Sequence, residues 1–283
     1  MAIMDVDNIA AVSQREILAN MVQQYLQAEA MFPQRVMTFT AAPGNKSVDI
    51  PRAPGFTVQT KTKSVAVTPQ TLTWAVDNLE LSRHRVVQVN LESVASLQSK
   101  VAQEIQIAER AGRDMAFDTD LAIVGEFYAS ATETSPDHIL AYAGSGIGAA
   151  DVLQAKRLLD VQKVPQDGRY LAVSPLQYTQ LLAVNEFSRT DAINANQTTE
   201  GIRPGVVGRI YGFEVFMSQA VEDSKSIAFH RSALAYGVQQ GVRYQTDEDL
   251  PNLSTLHSFD QIYGLKGLDS GLRHIILGTA SLL

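Results

Sequence analysis

The chain has 283 residues, 45% of them hydrophobic, so it can bury a core in one large domain or two modest ones. It contains no cysteine, which excludes disulfides, thiolate nucleophiles and cysteine-based metal sites. The formal net charge of −7 argues against a surface that grips nucleic acid, because phosphate binding needs clustered cations. The sequence lacks a secretory signal and an apolar run long enough to span a bilayer, so it predicts a soluble protein made in a cytoplasm.

The first predicted element is an amphipathic helix over residues 13–30. Its apolar residues recur at spacings of three and four: Ile17, Met21, Tyr25 and Ala28. Ser13 and Glu16 form a plausible capping box at its start, and Pro33 stops it.

Residues 36–90 differ in character, because they combine several prolines and glycines with short alternating runs that are typical of strands. Two interpretations stay open: a small sheet folded back on its own domain, or an extended hairpin that projects outward. An isolated two-stranded ribbon is marginal in water, so a projecting hairpin would need another surface to lie on. Residues 81–89 predict the strand that follows it.

A helical period follows and runs from Leu91 to Phe127. It predicts a helix of roughly 35 residues, about 50 Å long, which would act as a strut in a chain of this size. Gly112 and Gly125 weaken it, so a bend near Gly112 is expected.

The remaining sequence alternates between helices and strands. Helices are predicted over residues 151–164, ended by Pro165, and over residues 174–184, where Ser174 is the N-cap. Strands are predicted over residues 169–173, 207–218, 226–229, 232–244 and 254–282, with a polar loop at 189–205. The acidic run at residues 247–249 is assigned to a turn before Pro251.

The strongest enzyme-like signal is a glycine-rich turn at residues 144–148, between a strand and the helix that begins near Asp151. A strand, a glycine turn and a helix N-terminus can together cradle a phosphate. The spacing is G-x-G-x-G and not the dinucleotide pattern G-x-G-x-x-G, and the strand lies midway along the chain. We interpret the turn as a hinge between subdomains, with a nucleotide-binding protein as the enzymatic alternative.

The other reactive side chains lack catalytic or metal-binding patterns. The five histidines are scattered, without metal-ligand spacing: His84, His138, His230, His257 and His274. Arginines beside His84 and His274 predict surface positions for both. Asp118 and Asp120 would lie on different faces of a helix, and Ser174 has no nucleophile context. The sequence therefore predicts no catalytic residue, no cofactor, no metal and no enzyme.

The order of the elements resembles that of the major capsid proteins of tailed bacteriophages with the Hong Kong 97-type coat fold. An arm helix, a long hairpin, a strut helix and an α/β domain with returning strands follow one another in both. Four segments carry the resemblance: the strand at 81–90, the proline turn and Ser-Pro-capped helix at 164–175, the G-x-I-x-G-F-x-V pattern at 208–215, and the strands at 226–236.

The resemblance implies an α+β fold with five parts. These are an N-terminal arm (1–35), an extended loop with a peripheral-domain strand (36–90), a spine helix and peripheral domain (91–143), an axial domain (144–225), and strands returning from the axial to the peripheral domain (226–283).

The function implied is that of a major capsid protein, which self-assembles into the icosahedral shell around the phage genome. Its partners would be copies of itself in hexamers and pentamers, together with scaffolding, portal and decoration proteins. It would enclose DNA without binding it specifically and without contacting a membrane, and it would reach the virion after assembly in the host cytoplasm. The alternative is the shell of an encapsulin-type nanocompartment with the same fold.

The charge distribution suggests which residues join subunits. Residues 41–63 carry four bases against one acid, and residues 91–128 carry seven acids against three bases. Two solvated faces would explain this asymmetry. In the resembling fold, however, the extended loop lies across a neighbour near its spine helix, so the two regions would attract. The candidate contacts are Lys46, Arg52, Lys61, Lys63, Glu104, Glu109 and Asp114.

Overall fold

Helices and strands both contribute to the fold, which confirms the predicted α+β class. The structure is a computed structural model that describes residues 6–52, 55–64, 66–71, 73–92, 103–131, 138–144, 146–183, 208–268 and 273–278. For residues 6–15 and 103 it describes the backbone alone. No helix in these ranges is long and apolar enough to cross a membrane.

The described ranges contain four α-helices. They are α1 (Val6–Glu29), α2 (Gln103–Ser130), α3 (Ala149–Val161) and α4 (Pro175–Ala183). Because α1 begins at Val6, Ser13 lies inside the helix, and the predicted capping box at that position is wrong. Leu91 belongs to a strand and not to the strut helix, so the predicted start of that helix is also wrong.

Twelve strands lie in the same ranges. In chain order they are β1 (Met37–Thr40), β2 (Ser47–Arg52), β3 (Ala75–Glu80), β4 (Arg83–Glu92), β5 (Ile139–Ala141), β6 (Arg169–Val173), β7 (Arg209–Ile210), β8 (Phe213–Met217), β9 (Lys225–His230), β10 (Leu234–Asp249), β11 (Ser254–Gly267) and β12 (His274–Gly278).

The strands form two sheets and one ribbon. The four-stranded sheet has the order β1-β10-β11-β4, and the six-stranded sheet has the order β5-β12-β9-β6-β8-β7. The ribbon is the antiparallel pair β2-β3. In the first sheet β10 and β11 are long antiparallel strands whose pairing extends to Asp249 opposite Ser254. The acidic run at residues 247–249 therefore lies in β10 and not in a turn, and the chain reverses just after it, at Leu250–Asn252.

The helices α1 and α2 pack against each other and against the four-stranded sheet. Leu18, Val22 and Leu26 of α1 meet Ala108 and other small or flexible side chains of α2 in one buried cluster. Gly112 lies at the closest approach, because a Cβ there would stand 2.7 Å from the Cβ of Tyr25. α2 continues through this glycine without interruption, and the close approach shows that the residue serves helix packing.

An aromatic core joins the end of α1 to α2 and to the six-stranded sheet. Phe32 packs against Phe216 with ring centroids 5.1 Å apart, and Phe127 packs against Phe229 at 5.0 Å. All four side chains are fully buried. Edge-to-face and offset pairs of this kind add to the free energy gained from burial, so this cluster fixes how the two halves of the fold meet.

Candidate inter-subunit surfaces

The ribbon has a base that packs on its own domain and a distal part whose described side chains are exposed. Its strands pair from Ser47 opposite Glu80 to Arg52 opposite Ala75. Near the base, Leu79 is fully buried among residues of β1 and β10. Beyond the paired strands every described side chain from 55 to 74 is exposed. Each of the two interpretations of residues 36–90 therefore describes one part of the ribbon.

We call residues 55–74 the distal ribbon. Its two arms are held opposite each other by glutamine side chains. The N–H of Thr57 donates to Gln70 Oε1 at 3.1 Å, and Gln70 Nε2 donates back to the carbonyl oxygen of Thr57. Gln59 Nε2 donates to the carbonyl oxygen of Thr68 at 3.0 Å. A side-chain amide can satisfy a backbone donor and acceptor together, so it substitutes here for strand pairing.

Large apolar side chains lie on this solvated segment. Phe56 is 68% exposed, Val58 is 95% exposed and Trp74 is 59% exposed. Clustered apolar side chains in water mark surfaces that are covered by another molecule.

A second exposed surface runs along α2. Four residues at helical spacing are exposed on one face: Arg110, Asp114, Phe117 and Leu121. Beside this face, a groove of about 470 Å³ separates α2 from β4. It is lined mostly by apolar side chains: Val87, Val89, Leu91, Gln106, Ile107, Arg110, Ala111 and Asp114. β4 is also an edge strand of its sheet, so the groove opens beside a backbone edge with no further strand in the described part of the chain.

The predicted contact residues divide between these two surfaces. Lys46, Arg52, Lys61 and Lys63 lie on or beside the ribbon, and Glu104, Glu109 and Asp114 lie on α2. Two of the three acids have partners within α2. The carboxylate of Glu109 is 2.8 Å from Arg113, and that of Asp114 is 3.0 Å from Arg110. Glu104 is exposed in the first turn of α2.

The four-stranded sheet carries a cross-strand network that the sequence did not predict. Arg243 binds the buried carboxylate of Asp260 with two hydrogen bonds of 3.0 and 2.9 Å, and His84 Nε2 lies 3.1 Å from the same carboxylate. Burial raises the pKa of Asp260, but the hydrogen bonds and charges of Arg243 and His84 outweigh it and hold the pKa below its ordinary value. The three basic residues at 83–85 could have indicated this network, because neighbouring side chains of a strand point to opposite faces of the sheet.

The same alternation ties β4 to α2. Arg83 pairs with Glu126 of α2 at 3.1 Å, and Arg85 pairs with Asp118 at 3.1 Å. Asp120, two residues further on, faces the arm and accepts the N–H groups of Met31 and Phe32 at 3.0 and 3.1 Å. Burial raises the pKa of Asp120 to about 6, although those two donors and Arg35 favour its ionised form. The two acids thus lie on different faces, as predicted, and both have structural partners.

Side chains of the same chain bind backbone N–H groups of the described residues in the glycine-rich turn, 143–144 and 146–148. Asp151 accepts the N–H of Gly148 at 2.8 Å and that of Ala143 at 2.9 Å. Gln177 accepts the N–H of Ile147 at 3.0 Å. Three backbone donors that could bind a phosphate there are therefore already bound by the chain's own side chains. Ser174 also caps α4, as predicted, because its Oγ accepts the N–H of Gln177 at 3.3 Å.

The histidines are placed by packing more than by their neighbours in sequence. His84 is exposed as predicted, but His274 is fully buried, so its predicted surface position is wrong. The ring of His274 stacks on that of His138 at 5.4 Å, and its Nε2 donates to the carbonyl oxygen of Phe127 at 3.1 Å. Burial, and then the charge of His138, lower the pKa of His274 to about 4. The described residues contain no group of three side chains able to hold a metal ion.

An arm helix, a long ribbon, a strut helix beneath a four-stranded sheet and a separate six-stranded α/β sheet together define a shell-forming coat fold. The model of the phage capsid protein family matches residues 19–256, which is most of the chain. The chain therefore belongs to the phage capsid protein family. It is a major capsid protein, whose copies associate into the icosahedral shell of a virion, and its fold is of the Hong Kong 97 type.

Solved shells share this fold at low sequence identity. The capsid of cyanophage P-SCSP1u aligns with a TM-score of 0.69 at 15% identity, covering 89% of this chain and 88% of that one. A structure from Mycobacterium phage Che8 aligns with a TM-score of 0.64 at 21% identity, covering 82% and 84%. A virus-like particle from Pyrococcus furiosus aligns with a TM-score of 0.63 at 12% identity, covering 93% and 99%. No curated protein sequence matches the chain.

These matches resolve the choice that the sequence left open. The fold alone is compatible with several kinds of shell, because the Pyrococcus furiosus particle shares it too. The family match is to phage capsid proteins, so the coat-protein interpretation is the one supported, and the encapsulin alternative has no better support.

Proposed function

We propose that the distal ribbon of one subunit lies along α2 and β4 of a neighbouring subunit, and that this contact holds the hexamers and pentamers of the shell together. The distal ribbon supports the proposal, because its arms are held together by their own glutamines while every described side chain from 55 to 74 is exposed. An ordered segment with exposed apolar side chains gains free energy when another surface covers it.

Apolar complementarity supports this pairing. Phe56 and Val58 alternate along one arm of the ribbon, so an extended chain would present both to the same side. The groove between α2 and β4 offers Val87, Val89 and Ile107 as an apolar floor. A ribbon arm lying beside the free edge of β4 would bring these two sets of side chains together, as in strand addition to an exposed sheet edge.

Charge complementarity favours the same orientation. Lys61 and Lys63 follow the apolar pair on the ribbon, and Asp114 lines the groove. Exposed ion pairs contribute about 0–1 kcal/mol each, so they would set register and salt sensitivity more than strength. The pairs within α2 would exchange partners on assembly, because Asp114 is already bound to Arg110.

The remaining proposals concern the particle as a whole. The five predicted parts would act as arm, extended loop, peripheral domain with spine helix, axial domain and returning strands, with α3 and α4 in the axial domain. The shell would form in the host cytoplasm and enclose DNA without specific binding, since a net charge of −7 offers few cations to phosphates. Scaffolding, portal and decoration proteins would be further partners, and the subunit would have no enzymatic activity.

Charge reversal on the ribbon tests the contact. The double variant Lys61→Glu/Lys63→Glu should lower the yield of closed particles, seen by negative-stain microscopy, while urea unfolding of unassembled subunits stays at the wild-type midpoint. The matched control is Arg157→Glu/Lys163→Glu, which reverses two exposed bases outside the ribbon. Wild-type particle yield from the ribbon variant would refute the electrostatic part of the contact.

Apolar substitution tests the main part of the contact. The variant Phe56→Ser/Val58→Ser should leave the subunit folded and abolish closed particles. Trp74 is the only tryptophan and lies on the ribbon, so wild-type emission should shift to shorter wavelength on assembly as the indole loses water. Normal particles from the serine variant, or an unshifted emission, would refute the proposal.

A further inference from the structure

The ribbon leaves the four-stranded sheet at one edge and returns at the other. β1, at one edge, pairs in parallel with β10 and leads into the ribbon. β4, at the opposite edge, pairs with β11 directly after the ribbon. The returning chain must therefore cross the faces of both central strands, and residues 79–81 make that crossing.

Two glycines lie beneath the crossing. Gly237 of β10 and Gly264 of β11 are directly opposite each other in the sheet register. A Cβ on Gly264 would meet the carbonyl oxygen of Glu80, with its carbonyl carbon at 2.9 Å and the Leu81 Cα at 3.1 Å. A Cβ on Gly237 would stand 2.6 Å from Leu79 Cδ2. Neither glycine has a positive φ, so these positions require space and not a special backbone conformation.

Hydrogen bonds around the crossing hold both the outgoing and the returning chain at the base of the ribbon. The N–H of Leu81 donates to the carbonyl oxygen of Lys46 at 3.0 Å, which joins the outgoing and returning chains. The N–H of Ala41 donates to the carbonyl oxygen of Val238 at 2.9 Å, and Gln239 Nε2 donates to the carbonyl oxygen of Asn45 at 2.7 Å. The base of the ribbon is thus hydrogen-bonded to β10 and lies directly over Gly237 and Gly264.

We propose that Gly237 and Gly264 form a seat that sets the direction in which the ribbon leaves the subunit, and that a side chain at either position misdirects the ribbon and prevents shell closure without unfolding the subunit. The inference rests on the proposed ribbon contact, because it names the element that aims the ribbon at its neighbour. A small tilt at the base becomes a large displacement at the tip, because the described side chains of the distal ribbon are exposed and no buried packing beyond the base restrains it.

The two glycines differ in what a methyl group would meet, and this difference makes the test sharp. At Gly237 the obstacles are side-chain methyls, Leu79 Cδ2 at 2.6 Å and Leu81 Cδ2 at 3.2 Å, so shortening Leu79 removes the closer of the two. At Gly264 the obstacle is the backbone of Glu80 and Leu81, so no truncation of a side chain can remove it. A size exchange between positions 237 and 79 should therefore restore the seat.

The experiment compares four variants for fold and for assembly. Gly237→Ala and Gly264→Ala should reduce closed particles by about tenfold or more, and Gly237→Ala/Leu79→Val should recover them to within about twofold of wild type. The control is Gly241→Ala in the same strand, whose Cβ would meet only the Gln23 side chain, at 3.1 Å. Circular dichroism and urea unfolding of unassembled subunits measure the fold, and acrylamide quenching of Trp74 follows the ribbon.

Three outcomes would overturn the seat. Wild-type particle yield from both Gly237→Ala and Gly264→Ala would do so. A Gly237→Ala subunit that loses its fold together with its particles would reduce the glycines to ordinary packing positions. A size-exchange variant that is folded but still forms no particles would contradict the role of Leu79. If Gly264→Ala does not fold, the Gly237 pair decides.

The serine variant Phe56→Ser/Val58→Ser separates this inference from the proposed function. If that variant assembles normally, the ribbon contact itself is refuted, and the seat with it. If it fails to assemble while the glycine variants assemble normally, the contact stands and the seat alone is refuted.

Discussion

Replacing His274 by glutamine should make the stability of the unassembled subunit less sensitive to acid. His274 is neutral and fully buried, with Nε2 on the carbonyl oxygen of Phe127 and no partner for Nδ1 among the described residues. Burial and His138 lower its pKa to about 4. The gap from the ordinary 6.5 corresponds, at about 1.4 kcal/mol per pH unit, to about 3 kcal/mol of unfolding free energy.

The direction in which pH changes the unfolding free energy depends on whether the folded or the unfolded state binds the proton. Between pH 6.5 and 4 the unfolded chain protonates this histidine and the folded chain does not, so stability is present above pH 6.5 and is lost as pH falls through 4. Asp120 acts in the opposite direction. Its pKa is raised to about 6, so its contribution is present below its ordinary value of 3.8 and is lost as pH rises through 6. In the wild-type curve the two effects partly cancel.

The assay is therefore a difference between two urea series, wild type and His274→Gln, measured from pH 7.5 to pH 4. Asp120 contributes equally to both and drops out. The variant should be less stable than wild type at pH 7.5, and the gap should narrow by about 3 kcal/mol as pH falls. His138→Gln should give a smaller narrowing, because it removes only the second cause of the shift. Parallel curves for wild type and His274→Gln would refute the reasoning.

Three further predictions concern the subunit alone and are read from urea or thermal unfolding. Gly112→Ala should cost about 1–3 kcal/mol because its methyl group meets Tyr25, whereas Gly125→Ala, in the same helix with open space around it, should gain about 0.5–1 kcal/mol. Asp151→Ala should cost about 2 kcal/mol by leaving the N–H groups of Gly148 and Ala143 without their acceptor, and Asp151→Asn should recover part of it. Phe127→Ala should cost about 3–5 kcal/mol through the cavity it leaves in the aromatic core. Equal stability of the two glycine variants, or a neutral change at Asp151 or Phe127, would contradict the packing described.

Elements with a clear period were predictable from the sequence, and their ends were decided by tertiary contacts. The C-terminal part of the strut helix follows its apolar period to Phe127 and beyond. Leu91 fits a helical period equally well, yet it lies in β4 because it pairs with Thr255 of β11. The acids at 247–249 look like a turn in sequence. In the structure they pair with residues 254–256 of β11, and these three residue pairs extend β10. Pairing with a distant strand leaves no local signal.

The candidate surfaces were predictable in charge and not in geometry. The sequence separates a basic hairpin from an acidic helix, and the structure puts the bases on the ribbon and the acids on α2. The sequence analysis did not predict that Asp114 and Glu109 already have arginine partners, although each arginine lies four residues away in the same helix. The buried position of His274 depends on β12 being enclosed by β5 and β9, and the adjacent Arg273 misleads. The glycine seat joins residues far apart in the chain, so no window of sequence contains it.

The fold separates the contacts that make a subunit from those that make a shell. The aromatic core, the α1–α2 cluster and the Asp120 tie to the arm lie within one chain, so changes there should alter the unfolding free energy first. The distal ribbon, the exposed face of α2 and the edge of β4 have few partners within the described residues, so changes there should alter assembly and leave unfolding unchanged. Gly237 and Gly264 lie at the boundary between these two sets. They are buried in the sheet like core residues, but the chain that they accommodate carries the ribbon, so a variant there should behave like a shell variant only if the base of the ribbon determines its aim.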